Sequence, residues 1–105
     1  MALGTTPVLD VAAEINAVSL ARTELDPRTL LISRLSALVA VDAPVGSYFL
    51  HIGPAAEMGL TLDDIQDVLV AVAPIVGTPR LIASARKIAE AFDLAIKLDS
   101  EADTQ

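Results

Sequence analysis

Helix-start signals recur along this chain of 105 residues and divide it into helix-length segments. Thr6-Pro7 and Asp26-Pro27 each place a capping side chain before a proline, which suits a first turn because the missing N–H needs no partner there. In Gly77-Thr78-Pro79, the glycine predicts the end of one helix and the following Thr-Pro predicts the start of the next. Thr61 with Asp64 gives a variant of the capping box. These signals predict an all-α fold of about five or six helices.

The segments between these signals carry apolar residues at helical spacing. The stretch from Val68 to Val76 is also apolar and β-branched enough to be a buried strand. Pro74 lies within it, and because proline is excluded from interior strands we expect a helix that bends or ends near Pro74. Residues 1–98 are predicted to form one helical domain, and residues 99–105 a polar, flexible tail.

The composition points to apolar surface beyond what one small core needs. Apolar residues make up 53% of the chain and the mean hydropathy is +0.58. No uninterrupted apolar run reaches the roughly 18 residues that a membrane-spanning helix needs. Because obligate oligomers bury core-like surfaces between subunits, we expect the excess to lie in subunit interfaces.

The charge balance and the absence of cysteine exclude several classes of function. A net charge of −7 repels nucleic acids and anionic membranes, so neither is an expected partner. Without cysteine the chain forms no disulfide, thiolate nucleophile or cysteine-ligated metal site. The acidic cluster Asp63, Asp64 and Asp67 is better explained by helix capping than by a metal, and we expect no cofactor. No secretory signal is recognisable, which predicts a cytoplasmic location.

His51 is the only histidine and the main candidate for acid–base chemistry. On a helix it shares a face with Ser47 and Tyr48, which we predict to orient a substrate or assist proton transfer. Pro54 is expected to kink or break the helix just after His51 and to free the carbonyl of Leu50. The alternative is a partly buried His51 whose ring bonds Ser47, Tyr48 or that carbonyl.

Arg34 is the second candidate, because it projects from an apolar helix face. A buried arginine needs a partner, and its planar fork suits a carboxylate. That carboxylate belongs either to a substrate or, as the sequence favours, to Glu14, Glu57 or an acidic residue of another subunit. Arg28, in contrast, is expected to be a solvated charge in the first turn of its helix.

Four stretches together resemble the carboxymuconolactone decarboxylase and AhpD-like family. They are Leu25-Asp26-Pro27-Arg28, Leu50-His51-Ile52 with Gly59, the run Leu60–Ile65, and the run Val68–Gly77 with Pro79. The resemblance covers roughly residues 25–92. It implies an all-helical subunit that assembles into homotrimers or homohexamers, with active sites near subunit contacts.

The motif around His51 departs from both branches of that family. Redox members carry Cys-x-x-Cys-x-x-x-His, whereas here Pro44 and Ser47 occupy the cysteine positions, which disfavours thiol peroxidase activity. The decarboxylase branch carries Glu-Leu-Arg-Leu-His, and here the glutamate is Ser47 and the arginine is Phe49. The histidine carries over as His51, which the resemblance places in the active site.

Two functions remain open from the sequence. One is a cofactor-free lyase or isomerase in which His51 transfers a proton on a small cyclic acid and Arg34 holds its carboxylate. The other is a non-catalytic oligomer on the same fold, acting as a binding or scaffolding protein.

Overall fold

Five helices account for nearly all of the structure. A computed structural model describes residues 6–103, and within that range it contains no strand. The helices are α1 (Pro7–Arg22), α2 (Pro27–Ala40), α3 (Val45–Glu57), α4 (Leu62–Val76) and α5 (Thr78–Asp103). The all-α prediction is therefore confirmed.

The predicted caps form at two of the helix starts. The Asp26 carboxylate accepts from the backbone N–H of Thr29 at 3.1 Å, where α2 begins. Thr61 and Asp64 form a reciprocal capping box at the start of α4, with bonds of 2.8 and 3.1 Å. Thr6 precedes α1 as predicted but makes no side-chain capping bond.

Prolines lie inside two helices without dividing them. The helix α3 continues through Pro54 to Glu57, so the break expected just after His51 does not occur. Ile52, two residues before the proline, and Ala55, directly after it, are buried, and their packing offsets the one backbone hydrogen bond that a proline removes. In α4 the helix ends at Val76, two residues after Pro74, as the sequence predicts.

The core lies between α2, α3, α4 and α5. Helix α3 packs against α5 and α2, while α4 packs against α2 and α5. The central cluster of buried residues comprises Leu35, Val39, Ala43, Tyr48, Ile52, Ile65, Val68, Leu69, Ile88 and Ala91. As the composition requires, aliphatic side chains and one tyrosine fill this core.

Helix α1 stands apart from the other four. It contains no buried residue, and its backbone makes no close contact with α2, α3, α4 or α5. An isolated helix of about 15 residues is marginal in water. The side chains of α1 must therefore supply whatever attaches it to the rest of the subunit.

Helix α5 extends further than the sequence pattern indicates. It includes residues 99–103, which the pattern assigns to a polar tail. This stretch contains neither glycine nor proline, so nothing in it stops a helix. Asp93 and Lys97, four residues apart on α5, form an ion pair at 3.1 Å. No helix among the described residues is both long enough and apolar enough to cross a membrane.

Two basic residues of α5 hold the turn between α2 and α3. Lys87 pairs with Asp42 at 2.8 Å, and Arg80 donates to the carbonyl of Ala40 at 2.6 Å. Asp42 has a φ of 55°, a left-handed conformation that Asp and Asn tolerate better than most residues. These contacts fix the point from which α3 starts.

We predict that the contribution of Asp42 to stability disappears at low pH. The hydrogen bond and the positive charge of Lys87 lower the pKa of Asp42. A lowered pKa in the folded state adds stability above the unfolded value of about 3.9, and this is lost as the pH falls through the folded value. Urea unfolding of wild type and Asp42→Asn should differ near neutral pH and converge in acid.

The asparagine keeps the left-handed backbone, so the comparison isolates the charge. In a Lys87→Gln background, Asp42→Asn should have little pH-dependent effect. A difference between wild type and Asp42→Asn that stays constant from neutral pH to acid would contradict the prediction.

Candidate functional site

Helix α3 presents two neighbouring stripes to different surroundings. Tyr48, Ile52 and Ala55 form the buried stripe, at a spacing of four and three residues. On the adjacent stripe, His51 and Pro54 line cavities together with residues of α1. Because an α-helix has 3.6 residues per turn, burial of the first stripe turns the second toward α1.

The imidazole of His51 is held in one tautomer by its own helix. Its Nδ1 lies 2.7 Å from the carbonyl oxygen of Ser47. A carbonyl oxygen only accepts, so Nδ1 carries the proton and donates. In the neutral ring Nε2 then has the lone pair, and His51 is suited to take a proton through Nε2. The bond to Ser47 is one of the three alternatives that the sequence leaves open for the ring.

Arg34 joins α2 to α1. One terminal nitrogen donates to Asn16 Oδ1 at 2.6 Å and the other to Ser19 Oγ at 3.0 Å. The predicted pairing with Glu14 or Glu57 is absent from the described residues. The half-buried guanidinium therefore meets an amide and a hydroxyl, with no carboxylate to neutralise it.

Two adjoining cavities lie between α1 and the α2–α3 pair. Their volumes are about 440 and 540 Å³, within the range of about 300–1,000 Å³ that is usual for small-molecule sites. Both are lined by Ala12, Asn16, Arg34 and His51. Within the described part of the chain, no acidic side chain lines either cavity. The two candidates from the sequence, His51 and Arg34, are thus brought to one site.

The other two predicted site residues do not line these cavities. The Tyr48 side chain is 0% exposed within the core, and its hydroxyl has no hydrogen-bond partner among the described residues. Ser47 contributes its backbone carbonyl to His51, but it is not part of either cavity wall. Tyr48 is carried away from the site because the packing of α3 turns it toward the core.

Arg28 is less isolated than expected. It pairs with Asp64 at 3.4 Å and so connects the starts of α2 and α4, although both side chains keep substantial exposure. The hydrogen bond from the Thr61 backbone lowers the pKa of Asp64, and Arg28 adds to this. Among the described residues, no group of three or more His, Asp and Glu side chains is placed to hold a metal.

Two further cavities lie elsewhere on the described surface. A groove of about 400 Å³ between α4 and α5 has only Gln66 and Asp93 as polar lining residues. Another, of about 440 Å³, is lined by Phe49, Leu50 and parts of α5. Neither contains a histidine or a basic residue, so the acid–base site is the one beside α1.

The sequence model of the carboxymuconolactone decarboxylase family matches residues 7–91. The chain belongs to this family. No curated protein matches it, and no solved structure does.

In this member of the carboxymuconolactone decarboxylase family, the cation that lines the candidate site is Arg34 of α2. Position 49, an arginine in the decarboxylase-branch motif, is Phe49 here and lines the cavity beside α5. Arg34 of α2 lines the same two cavities as His51. A cation and an imidazole therefore meet in this family member, although the motif itself supplies only the histidine.

Sequence reasoning missed Asn16 and Ser19, the partners of Arg34. A signal was present, because these two polar residues are three apart and share one face of α1 with Ala12 and Leu20. That face lines the cavities. Which helix it faces depends on how the chain turns between α1 and α2, and no local pattern encodes that.

We predict that Asn16→Ala loosens α1. It removes the acceptor of the 2.6 Å bond from Arg34, one of the two polar bonds that attach this helix to α2. Amide hydrogen exchange in α1 should become faster while the exchange of core amides in α3 and α5 is unchanged.

Glu14→Ala is the matched control, since it places the same residue on the same helix. It should leave the exchange in α1 as in wild type. If amide exchange in α1 were faster in Glu14→Ala and unchanged in Asn16→Ala, the result would favour the pairing of Arg34 with Glu14 that the sequence predicts.

Proposed function

We propose that this protein is a cofactor-free lyase or isomerase that moves a proton next to the carbonyl or lactone group of a small acid. The observation that carries the proposal is the presence of His51 and Arg34 in the walls of the same two cavities. His51 is the acid–base residue, and Arg34 binds the carboxylate. Membership of the carboxymuconolactone decarboxylase family supports the assignment.

Arg34 is prepared to exchange its present partners for a carboxylate. Its bonds to Asn16 and Ser19 involve a neutral amide and a neutral hydroxyl. A carboxylate adds a full negative charge to the interaction with the guanidinium, which these neutral acceptors lack, and two bonds to it can form in parallel. With no acidic residue in the cavity walls, the bound anion meets no like charge there.

His51 performs the proton transfer through Nε2. The bond from Nδ1 to the Ser47 carbonyl orients the ring before the substrate arrives. Nε2 takes a proton from the ligand carbon next to the ligand's carbonyl or lactone group. The Ser47 carbonyl then stabilises the imidazolium, because the partial negative charge of the Ser47 oxygen faces the new positive charge. The electron pair of the broken C–H bond moves onto the ligand's carbonyl oxygen to form an enolate, and the imidazolium then gives its proton to a carbon of this enolate, which forms the rearranged product. This route uses Ser47 only through its backbone and needs no hydroxyl from Tyr48.

We predict that His51→Gln abolishes proton transfer. Wild type should catalyse exchange of deuterium from D₂O into a panel of cyclic acids that carry a carbonyl or lactone group, followed by NMR. The variant should be slower by about 10²–10⁴-fold, the usual contribution of a general acid or base. Its melting curve should match that of wild type, because His51 is only partly buried.

Glu57→Gln is the control for changes on the same helix, since Glu57 is exposed and lies outside both cavities. It should exchange deuterium at the wild-type rate. Full activity in His51→Gln would exclude the mechanism.

The alternative is a non-catalytic oligomeric binding protein. The burial of Tyr48 favours it, because His51 then lacks the neighbouring hydroxyl that the sequence suggested as a catalytic partner. Binding of acids by wild type without deuterium exchange into any of them would support this alternative. Thiol peroxidase activity is disfavoured because the full sequence contains no cysteine.

Self-association, as a homotrimer or homohexamer, is part of the proposal. The outer face of α1, which adjoins the cavity-lining face at Ile15, carries Val8, Val11, Ile15 and Val18, each at least half exposed. Their spacing of three, four and three residues is that of a coiled-coil seam. A continuous apolar face on a helix with no buried residue is best explained by a second copy of the chain that covers it.

We predict that the double substitution Val11→Asp and Val18→Asp disrupts this assembly. Neither valine lines the cavities, so the charges act on the outer face alone. Sedimentation velocity should give a trimer or hexamer for wild type and a smaller species for the double variant.

Val70→Asp tests whether any exposed valine has this effect, since Val70 is 70% exposed on α4. It should keep the wild-type mass. The seam would be rejected if the double variant kept that mass as well.

A further inference from the structure

Among the residues that the structure describes, Arg34 is the only permanent cation in the walls of the two cavities. The chain as a whole carries a net charge of −7, yet no Asp or Glu of the described part lines this site. A half-buried guanidinium without a carboxylate partner favours an anion. Because no lysine and no second arginine is present in the walls, the site offers a permanent countercharge to one carboxylate.

The larger cavity, of about 540 Å³, extends from Arg34 into apolar surroundings. Apart from Asn16, Arg34 and His51, every residue in its wall is apolar. The largest of them are Leu9, Leu20, Leu30, Leu31, Leu50 and Pro54. Contact between such a wall and a hydrocarbon group of the ligand is favourable, because it removes apolar surface from water. A second polar group of the ligand would find no partner there beyond the Asn16 amide and the His51 imidazole.

We propose that the acid bound by Arg34 carries a single carboxylate and an extended apolar substituent, which lies in the larger cavity between α1, α2 and α3. This inference rests on the placement of the carboxylate at Arg34 in the proposed function. It adds the chemical class of the ligand, an amphiphilic monocarboxylic acid. The wall that covers the substituent includes Leu9 and Leu20 of α1.

Calorimetric titration of the full chain with butanoate, hexanoate, octanoate and decanoate tests the apolar part. Each buried methylene should tighten binding about three- to fourfold, until the cavity is filled. Leu20→Gln, which places a polar group in the wall, should reduce this dependence on chain length. Leu20 is half exposed, so the substitution leaves the core intact.

The charged part is tested with octanoate and 1-octanol, which share a tail but differ in the head group. Octanoate should bind at least about tenfold more tightly than 1-octanol, and Arg34→Gln should remove that preference. Arg86→Gln is the matched control, because Arg86 is exposed on α5 and lines none of the cavities. It should bind octanoate as wild type does.

Equal affinities for butanoate and decanoate would overturn the inference, and so would equal losses in Arg34→Gln and Arg86→Gln. His51→Gln separates this result from the proposed function, since it should still bind octanoate while it loses deuterium exchange. If the wild type bound octanoate but catalysed no deuterium exchange into any acid, the catalytic proposal would be refuted and the ligand class would stand. Deuterium exchange into small acids, without any chain-length dependence of binding, would refute the ligand class alone.

Discussion

The packing of α3 against α2 and α5 decides where the functional side chains lie. Tyr48, Ile52 and Ala55 are buried in this contact, so the rotation of α3 about its axis is fixed. His51 is one position away from that stripe and consequently faces α1. The bond from its Nδ1 to Ser47 then sets the tautomer from within the same helix. The position of the imidazole is thus a consequence of core packing and does not depend on a loop.

Helix α1 is the least anchored wall of the site and the one most exposed to partners. Its inner face lines the cavities and is bonded to Arg34, while the adjoining outer face carries the proposed valine and isoleucine seam. In the proposed function, a carboxylate on Arg34 would replace bonds that now hold α1, and a second copy of the chain would cover the outer face. The proposed ligand binding and the proposed self-association would thus involve the same helix, and each would then change the free energy of the other.

The candidate site retains the histidine of the family motif. The cysteines of the redox branch are absent, and the decarboxylase-branch arginine is Phe49, which lies beside α5. Arg34 of α2 lines the same cavities as His51. Because the charge approaches from another helix and the adjoining wall is apolar, the geometry favours an acid with a hydrocarbon substituent over a compact, multiply charged one.

Sequence patterns were sufficient to predict the helices, the caps at Asp26 and Thr61, and the family. These depend on residues within about four positions of each other, or on a pattern spread along the whole chain. The sequence also identified His51 and Arg34, because a lone histidine and an arginine on an apolar face are conspicuous without any structure. The burial of Tyr48, the continuation of α3 through Pro54 and the bonds from Arg34 to α1 are visible only in the folded subunit. Each depends on contacts between different helices, and such contacts outweigh the local preference of a single residue.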